Sequence, residues 1–242
     1  MELRAGYREW APPAALRPAV SCLWTSVITA ARRTVVLPDA CSDLIWQRGG
    51  GVFVAGPDTG PAPATLPAGT VLVGVRFRPG AGGPALGLPL TELRDQRVGL
   101  ADVLPALARR LPGDEPAGRA LARLIEMTTG LTAERPPDRL VSRAARLLAT
   151  SRERTAGLAW DLGVSERQFR RRCLDAAGYG PKTLHRILRF RRFVARIDAG
   201  DALADLSRIA AEAGYADQAH LTRESVRLAG LPPAALARSR RG

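Results

Sequence analysis

The segments Leu158-Ala-Trp-Asp-Leu-Gly163-Val-Ser165-Glu-Arg-Gln-Phe169-Arg-Arg171 and Ile209-Ala-Ala-Glu-Ala-Gly214-Tyr-Ala-Asp217-Gln-Ala-His-Leu221-Thr-Arg223 write one structural unit twice. Leu158, Ala159 and Gly163 recur as Ile209, Ala210 and Gly214 at a shift of 51. One inserted residue later, Ser165, Phe169, Arg171, Gly178 and Pro181 recur as Asp217, Leu221, Arg223, Gly230 and Pro233 at a shift of 52. Each copy reads as a helix, a turn and a second helix. Ala159 and Ala210 are small where two helices cross closely. Gly163 and Gly214 supply a permissive turn backbone. Ser165 and Asp217 are N-cap residues for the second helix, and Phe169 and Leu221 return to the core four residues on. Gly178 and Gly230 end that helix, and Pro181 and Pro233 open the next one.

The surrounding sequence agrees. Residues 138–242 are helical almost throughout, with segments predicted at 138–149, 155–162, 165–176, 181–199, 204–213, 217–228 and 233–239. Of the 36 basic residues one is lysine, Lys182. Residues 1–136 carry 15 arginines against 12 acids, and residues 137–242 carry 21 basic residues against 11 acids. The C-terminal part is thus net +10 and the rest net +3, the asymmetry of a nucleic-acid-binding module joined to something else. A solvated arginine-rich surface explains charge alone equally well; the tandem repeat reverses that ordering. On the outward faces of the two second helices stand Arg167, Arg170 and Arg171, and Gln218, Ala219, Thr222 and Arg223. Arginine can donate two hydrogen bonds to guanine O6 and N7, and glutamine can pair with adenine. Lys182, at the start of the helix after the Gly-Pro turn, is placed to meet a phosphate.

Residues 1–98 read as mostly strand, with runs at Val20–Ile28, Thr34–Leu37, Asp43–Trp46, Gly51–Ala55 and Thr70–Phe77 separated by glycine and proline. A small antiparallel sandwich or barrel is expected. Residues 99–137 switch to helical period: Leu100, Val103, Leu104, Leu107 and Leu111 share one face, Leu121, Leu124 and Ile125 another, with Gly130 and Pro136-Pro137 stopping the run. The expected fold class is therefore α+β and multidomain: a β-rich domain over 1–98, a helical connector over 99–137 and an all-α double helix-turn-helix over 138–242. Apolar faces on the connector serve either its own domain or a homodimer.

Chemistry in the N-terminal part is sparse. Both histidines, His185 and His220, lie in the C-terminal part, so a histidine-based metal cage or triad in the N-terminal domain is excluded. Gly49-Gly50-Gly51 lacks the lysine and helix of a phosphate loop. Three scattered cysteines, Cys22, Cys41 and Cys173, form neither a disulfide framework nor a zinc site. No cofactor is expected. The N-terminus lacks an apolar signal segment and no stretch is long and apolar enough to span a bilayer, so a cytoplasmic protein without a membrane partner is expected. The alternation in Gly74-Val-Arg-Phe-Arg-Pro-Gly80 puts Arg76 and Arg78 on one strand face and Val75 and Phe77 on the other. Trp24, Asp39, Asp43, Trp46 and Arg76 are candidate ligand-binding residues. The bland reading of the same residues is core tryptophans and a structural ion pair.

The segment from Gly214 to Glu224, followed by Gly230-Leu-Pro-Pro233, resembles the signature of the AraC/XylS family of transcription regulators. The stretch from Leu158 to Arg171 is similar to that family's first helix-turn-helix, and Gly178–Arg192 to its connecting helix. The resemblance covers about residues 138–238. It implies two three-helix subdomains joined by a long helix, recognition helices in successive major grooves, and base contacts from Arg167, Arg170, Arg171, Gln218, Ala219, Thr222 and Arg223. Partners to expect are double-stranded DNA, RNA polymerase, a small-molecule effector and a second copy of the chain. Where the family carries phenylalanine two residues after the recognition arginine, this chain has Cys173 and Ser225, with Val226 and Leu228 as neighbours to fill the space. Residues 37–46 and 74–80, with Tyr7, Trp10, Pro12 and Trp24, resemble an uncharacterised domain on a subset of AraC-type regulators, distantly similar to a cupin-like sensor barrel. Two rival readings are a ligand-independent dimeric adaptor and a DNA-repair alkyl acceptor using Cys22 or Cys41. The absence of a four-cysteine cluster argues against the second.

Overall fold

The computed structural model describes residues 5–109, 115–150, 157–200 and 205–241. The N-terminal domain is built on a six-stranded antiparallel sheet. Its strands are β1 (Gly6–Trp10), β2 (Val20–Val27), β4 (Ser42–Gln47), β5 (Gly51–Ala55), β7 (Val71–Phe77) and β8 (Arg97–Gly99), in the order β1-β2-β7-β4-β5-β8. A separate two-stranded ribbon pairs β3 (Arg32–Val36) with β6 (Ala62–Leu66). The sheet does not close, since β1 and β8 are its edges, so the barrel expectation gives way to an open sheet. Three strands escape the sequence reading. β1 carries Arg8 and Glu9, β6 is interrupted by Pro63, and β8 is three residues long.

Alternation along the strands gives the sheet two unlike faces. Leu23, Leu44, Trp46, Val54, Val71, Val73, Val75 and Phe77 bury one face under the helices that follow. Those are α1 (Gly82–Leu86), α2 (Leu100–Val103), α3 (Pro105–Ala108) and α4 (Ala117–Glu134). The expected face of Leu100 to Leu111 breaks at Leu104, where Pro105 starts a new turn; Leu111 lies outside the described residues. α4 runs through Gly130, which is solvent-exposed and tolerated, and ends before the proline pair. Its Ala120, Leu121, Leu124, Met127 and Leu131 fill the sheet core, so this apolar face serves its own domain.

The C-terminal helices match the sequence reading closely. They are α5 (Arg139–Thr150), α6 (Leu158–Asp161), α7 (Glu166–Ala177), α8 (Pro181–Asp198), α9 (Leu206–Ala213), α10 (Gln218–Ala229) and α11 (Pro233–Arg241). The helix starts expected at 155 and 204 fall outside the described residues. One core joins all seven, centred on Leu184, Ile187, Phe190 and Phe193 of α8. Gly163, Gly178, Gly214 and Gly230 all have positive φ, as the turn reading requires.

The two domains dock tightly. The Tyr179 hydroxyl donates to the Asp58 carbonyl at 2.6 Å, and Arg94 Nε to the Gly178 carbonyl at 2.9 Å. A Cβ on Gly178 would stand 2.5 Å from Pro57, and one on Gly83 of α1 would stand 2.2 Å from the Asp175 carbonyl of α7. Both contacts need glycine.

Two glycines test the packing in opposite directions. Gly74 lies under the Trp24 indole, and a Cβ there would stand 2.3 Å from the ring. Gly74→Ala is expected to destabilise by about 2 kcal/mol in thermal or urea unfolding. Gly130 has nothing within 4 Å of its Cβ position, and Gly130→Ala is expected to stabilise by about 0.5–1 kcal/mol. Equal effects of the two variants would contradict this packing.

Candidate nucleic-acid interface

The second helix of each repeat unit is fixed at both ends. Ser165 Oγ accepts from Gln168 N at 3.2 Å while Gln168 Oε1 accepts from Ser165 N at 3.1 Å, a reciprocal cap that starts α7. Asp217 Oδ1 accepts from His220 N at 2.6 Å and starts α10. Phe169 and Cys173 of α7, and Leu221, Ser225 and Leu228 of α10, are buried on the inner face. With roughly 100° per residue around a helix, Arg171 and Arg223 point directly opposite Phe169 and Leu221. Both are exposed, as is Arg167 beside Arg171 and Ala219 beside Arg223.

The remaining candidates lie off that axis. Arg170 sits to one side of α7, and its Nη1 is 3.5 Å from the Cβ position of Gly180 at the start of α8. Thr222 occupies the matching side of α10 and spends its hydroxyl proton on the Gln218 carbonyl, 2.9 Å away. Gln218, in the first turn, shares a 3.4 Å hydrogen bond with Ser207 of α9. Lys182 is exposed in the first turn of α8, where no side chain caps the helix. Sequence reasoning missed Val226 and Arg227, which are exposed on the outward face of α10 one turn beyond Arg223. Their i+3 and i+4 spacing from Arg223 was the available signal. Trp160 of α6, 86% exposed, was also passed over.

The two short buried residues are accommodated differently. Cys173 and Ser225 are both fully buried, and Ser225 Oγ donates to the Leu231 carbonyl at 2.7 Å. Leu228 packs inward as expected, whereas Val226 is 48% exposed and fills no space. The units also anchor through opposite charges at one repeat position. In the first, Arg172 forms a two-pronged pair with Asp138, both bonds 2.7 Å. In the second, Glu224 accepts from Arg186 at 2.9 Å and Arg189 at 3.0 Å, and Arg189 lies 4.6 Å over the Tyr215 ring.

In the N-terminal domain four of the five candidate ligand residues come together on the outer sheet face. Register places Arg76 of β7 between Cys22 of β2 and Asp43 of β4. Arg76 reaches Asp43 at 3.2 Å, Glu9 at 3.3 Å and Asp39 at 3.4 Å. Trp24 Nε1 donates to Asp43 Oδ1 at 2.6 Å, and the Tyr7 ring lies tilted against Trp24 with centroids 5.8 Å apart. Trp46 does not join them. It points to the opposite face, 1% exposed in the core, because strand alternation separates it from Asp43. Glu9 and Tyr7 are absent from the candidate ligand residues of the sequence, where Tyr7 enters only through the domain resemblance, because β1 does not read as a strand. Burial, with Asp39 alongside, pushes the Asp43 carboxyl up to about 6, against the pull of Arg76 and the Trp24 hydrogen bond.

Residues 158–239 match a helix-turn-helix domain family, and residues 8–99 match a domain of unknown function, DUF6597. No curated protein matches the chain. Among solved structures, ToxT from Vibrio cholerae is similar at 11% identity and a TM-score of 0.48, covering 96% of this chain and 98% of ToxT. The unsaturated-fatty-acid-bound form of ToxT aligns at 11% identity and 0.47, covering 98% and 96%.

The Asp43 carboxyl is protonated below about pH 6 and charged above it. Its folded value exceeds the 3.8 of an ordinary carboxyl, so its contribution to stability is complete below 3.8 and is lost as pH rises through about 6. The Trp24 indole N–H resonance is expected to titrate with that midpoint and to stop doing so in Asp43→Asn. A resonance that stays flat from about pH 5 to 7 would contradict the pairing. Together, the doubled, capped helix-turn-helix units and the two domain matches identify residues 158–239 as an AraC-type helix-turn-helix domain behind a DUF6597 domain, an organisation that points to a DNA-binding transcription regulator.

Proposed function

We propose that the protein is a sequence-specific DNA-binding transcription regulator that reads duplex DNA with α7 and α10 and answers to a small molecule at its N-terminal domain. One observation carries the DNA reading: Arg171 and Arg223 stand at the same repeat position on two capped helices, both exposed and both opposite the buried face. Arg167, Ala219, Val226 and Arg227 extend these faces, while Arg170, Lys182 and Thr222 flank them. A net charge of +10 over residues 137–242 supplies the sequence-independent attraction to phosphate. RNA polymerase and a second copy of the chain are further partners in this reading.

The effector part rests on the cluster of Trp24, Asp39, Asp43 and Arg76. Asp39 touches Arg76 through its carboxylate and Arg191 of α8 through its carbonyl, at 3.1 Å. A ligand that displaces Arg76 from its acids therefore pulls on a residue bonded to the long helix between the two units. The alkyl-acceptor alternative is disfavoured by the thiols. Burial pushes Cys22 and Cys173 up to about 12 and raises Cys41 well above the ordinary thiol value, so none presents a thiolate nucleophile.

Arg171→Ala and Arg223→Ala are each expected to weaken binding to the specific site by about 1–3 kcal/mol and to relax base preference at one position. Fluorescence anisotropy with single-base operator variants measures both. Equal losses on specific and scrambled duplexes would show that the arginines act by charge alone. For the effector, a metabolite panel screened by thermal shift should contain a compound that stabilises the wild type and not Arg76→Gln. Stabilisation that survives in Arg76→Gln would remove the cluster from the reading.

A further inference from the structure

A cleft of about 750 Å³ runs between the N-terminal domain and the first helix-turn-helix unit. Thr59 and Arg94 form one wall. Arg167, Arg170 and Leu174 of α7 and Tyr179 to Thr183 at the head of α8 form the other. Four cations, Arg94, Arg167, Arg170 and Lys182, face this space, and Glu166 is the single carboxylate among its lining residues. None of the four makes an ion pair among the described residues, whereas Arg76, Arg97, Arg172, Arg186 and Arg189 each do. Like charges gathered in a partly walled cleft repel one another, and an anion relieves that repulsion. The uncapped N-terminus of the 18-residue α8 opens into the same space and adds partial positive charge.

The placement of each cation decides what the anion is. Arg167 sits on the outer rim with the base-reading face. Arg170 lies to the side of α7, beside Gly180, so it faces the flank of a groove and not the base edges. Lys182 stands beyond it on α8. Arg94 is fixed by its Nε bond to the Gly178 carbonyl, which leaves the outer guanidinium nitrogens for the cleft. The neighbouring Asp95 is occupied by Thr59, whose N–H and hydroxyl donate to it at 2.6 and 2.8 Å. A helix lying in a major groove is bordered by backbone phosphates at the same level as these side chains.

We propose that this cleft is a phosphate site for the DNA backbone, completed by Arg94 of the N-terminal domain together with Arg170 and Lys182. It rests on the regulator reading above and extends it. The N-terminal domain is then part of the DNA interface itself, and anything that shifts its docking on the Gly178 turn changes DNA affinity directly.

The test uses the full 242-residue chain and labelled specific and scrambled duplexes over a salt series. Arg94→Gln removes the charge while keeping a side-chain N–H for Gly178. It is expected to weaken both duplexes alike, by about ten-fold, and to lower the slope of log K against log salt by about one unit. Arg94→Lys, which keeps the charge, is expected to retain the wild-type slope; a slope lowered in Arg94→Gln and kept in Arg94→Lys is a pair of outcomes that a merely structural role for Arg94 does not produce. A slope unchanged in Arg94→Gln, or a loss confined to the specific duplex, overturns the proposal while leaving the regulator reading intact. Wild-type protein with no duplex affinity at low salt overturns both. Pyrophosphate alone, added to the DNA-free protein in thermal shift, separates the remaining source. Arg94-dependent stabilisation at micromolar concentration would assign the cleft to a soluble phosphate compound and overturn the DNA assignment.

Discussion

The buried hydrogen bond from the Tyr179 hydroxyl to the Asp58 carbonyl ties the two domains at the point where α7 ends and the long helix α8 begins. Its donor and acceptor are both removed from water, so leaving either unmade costs more than the bond itself gains. Asp58 is held in turn by a two-pronged pair with Arg97 of β8, at 2.9 and 2.7 Å. The loop that carries it also reaches the second unit: the Cβ position of Gly60 is 3.8 Å from the Arg227 carbonyl, and Pro61 lies equally close to that of Gly230. One loop of the N-terminal domain thus meets the turns after α7 and α10. The glycines at those turns end the helices, and Gly178 also admits the neighbouring domain.

The duplicated units share a plan but not a set of interactions. Position 172 in the first is an arginine tied to Asp138, a residue that also caps α5 through Val141 N. Position 224 in the second is a glutamate tied to Arg186 and Arg189 of α8. The charged anchor of the first unit therefore lies at the head of α5, and that of the second on the long helix. The N-terminal domain meets both units directly, through Gly83 against the Asp175 carbonyl of α7 and Gly60 near the Arg227 carbonyl of α10. Both units share one buried core that includes Leu184, Phe190 and Phe193.

The C-terminal architecture was legible in the sequence because several local signals agree there. The apolar period, the caps at Ser165 and Asp217 and the turn glycines at Gly163 and Gly214 each place the same boundaries, twice. The N-terminal sheet was legible only where β-branched runs made strands. β6 pairs despite Pro63 because only one neighbour needs its hydrogen bonds. β1 is held at an edge by pairing with β2 and not by its own composition. Of the candidate site residues, strand alternation correctly set Arg76 on the outer face, yet the same rule applied to Asp43 and Trp46 separates them. Helical geometry likewise divides the arginines of α7: Arg171 and Arg167 face outward, whereas Arg170 turns toward Gly180. The cleft between the domains was illegible in principle, because Arg94 meets Lys182 only through tertiary docking.

The most direct measurement is selection from a random duplex library by the full chain, followed by sequencing of the bound pool. Two recognition helices that read DNA as one unit require two blocks of base preference centred about one helical turn, roughly 10 base pairs, apart. Enrichment of paired blocks at that spacing is the expected result. A bound pool with no sequence preference over the input would contradict the reading of α7 and α10 as recognition helices.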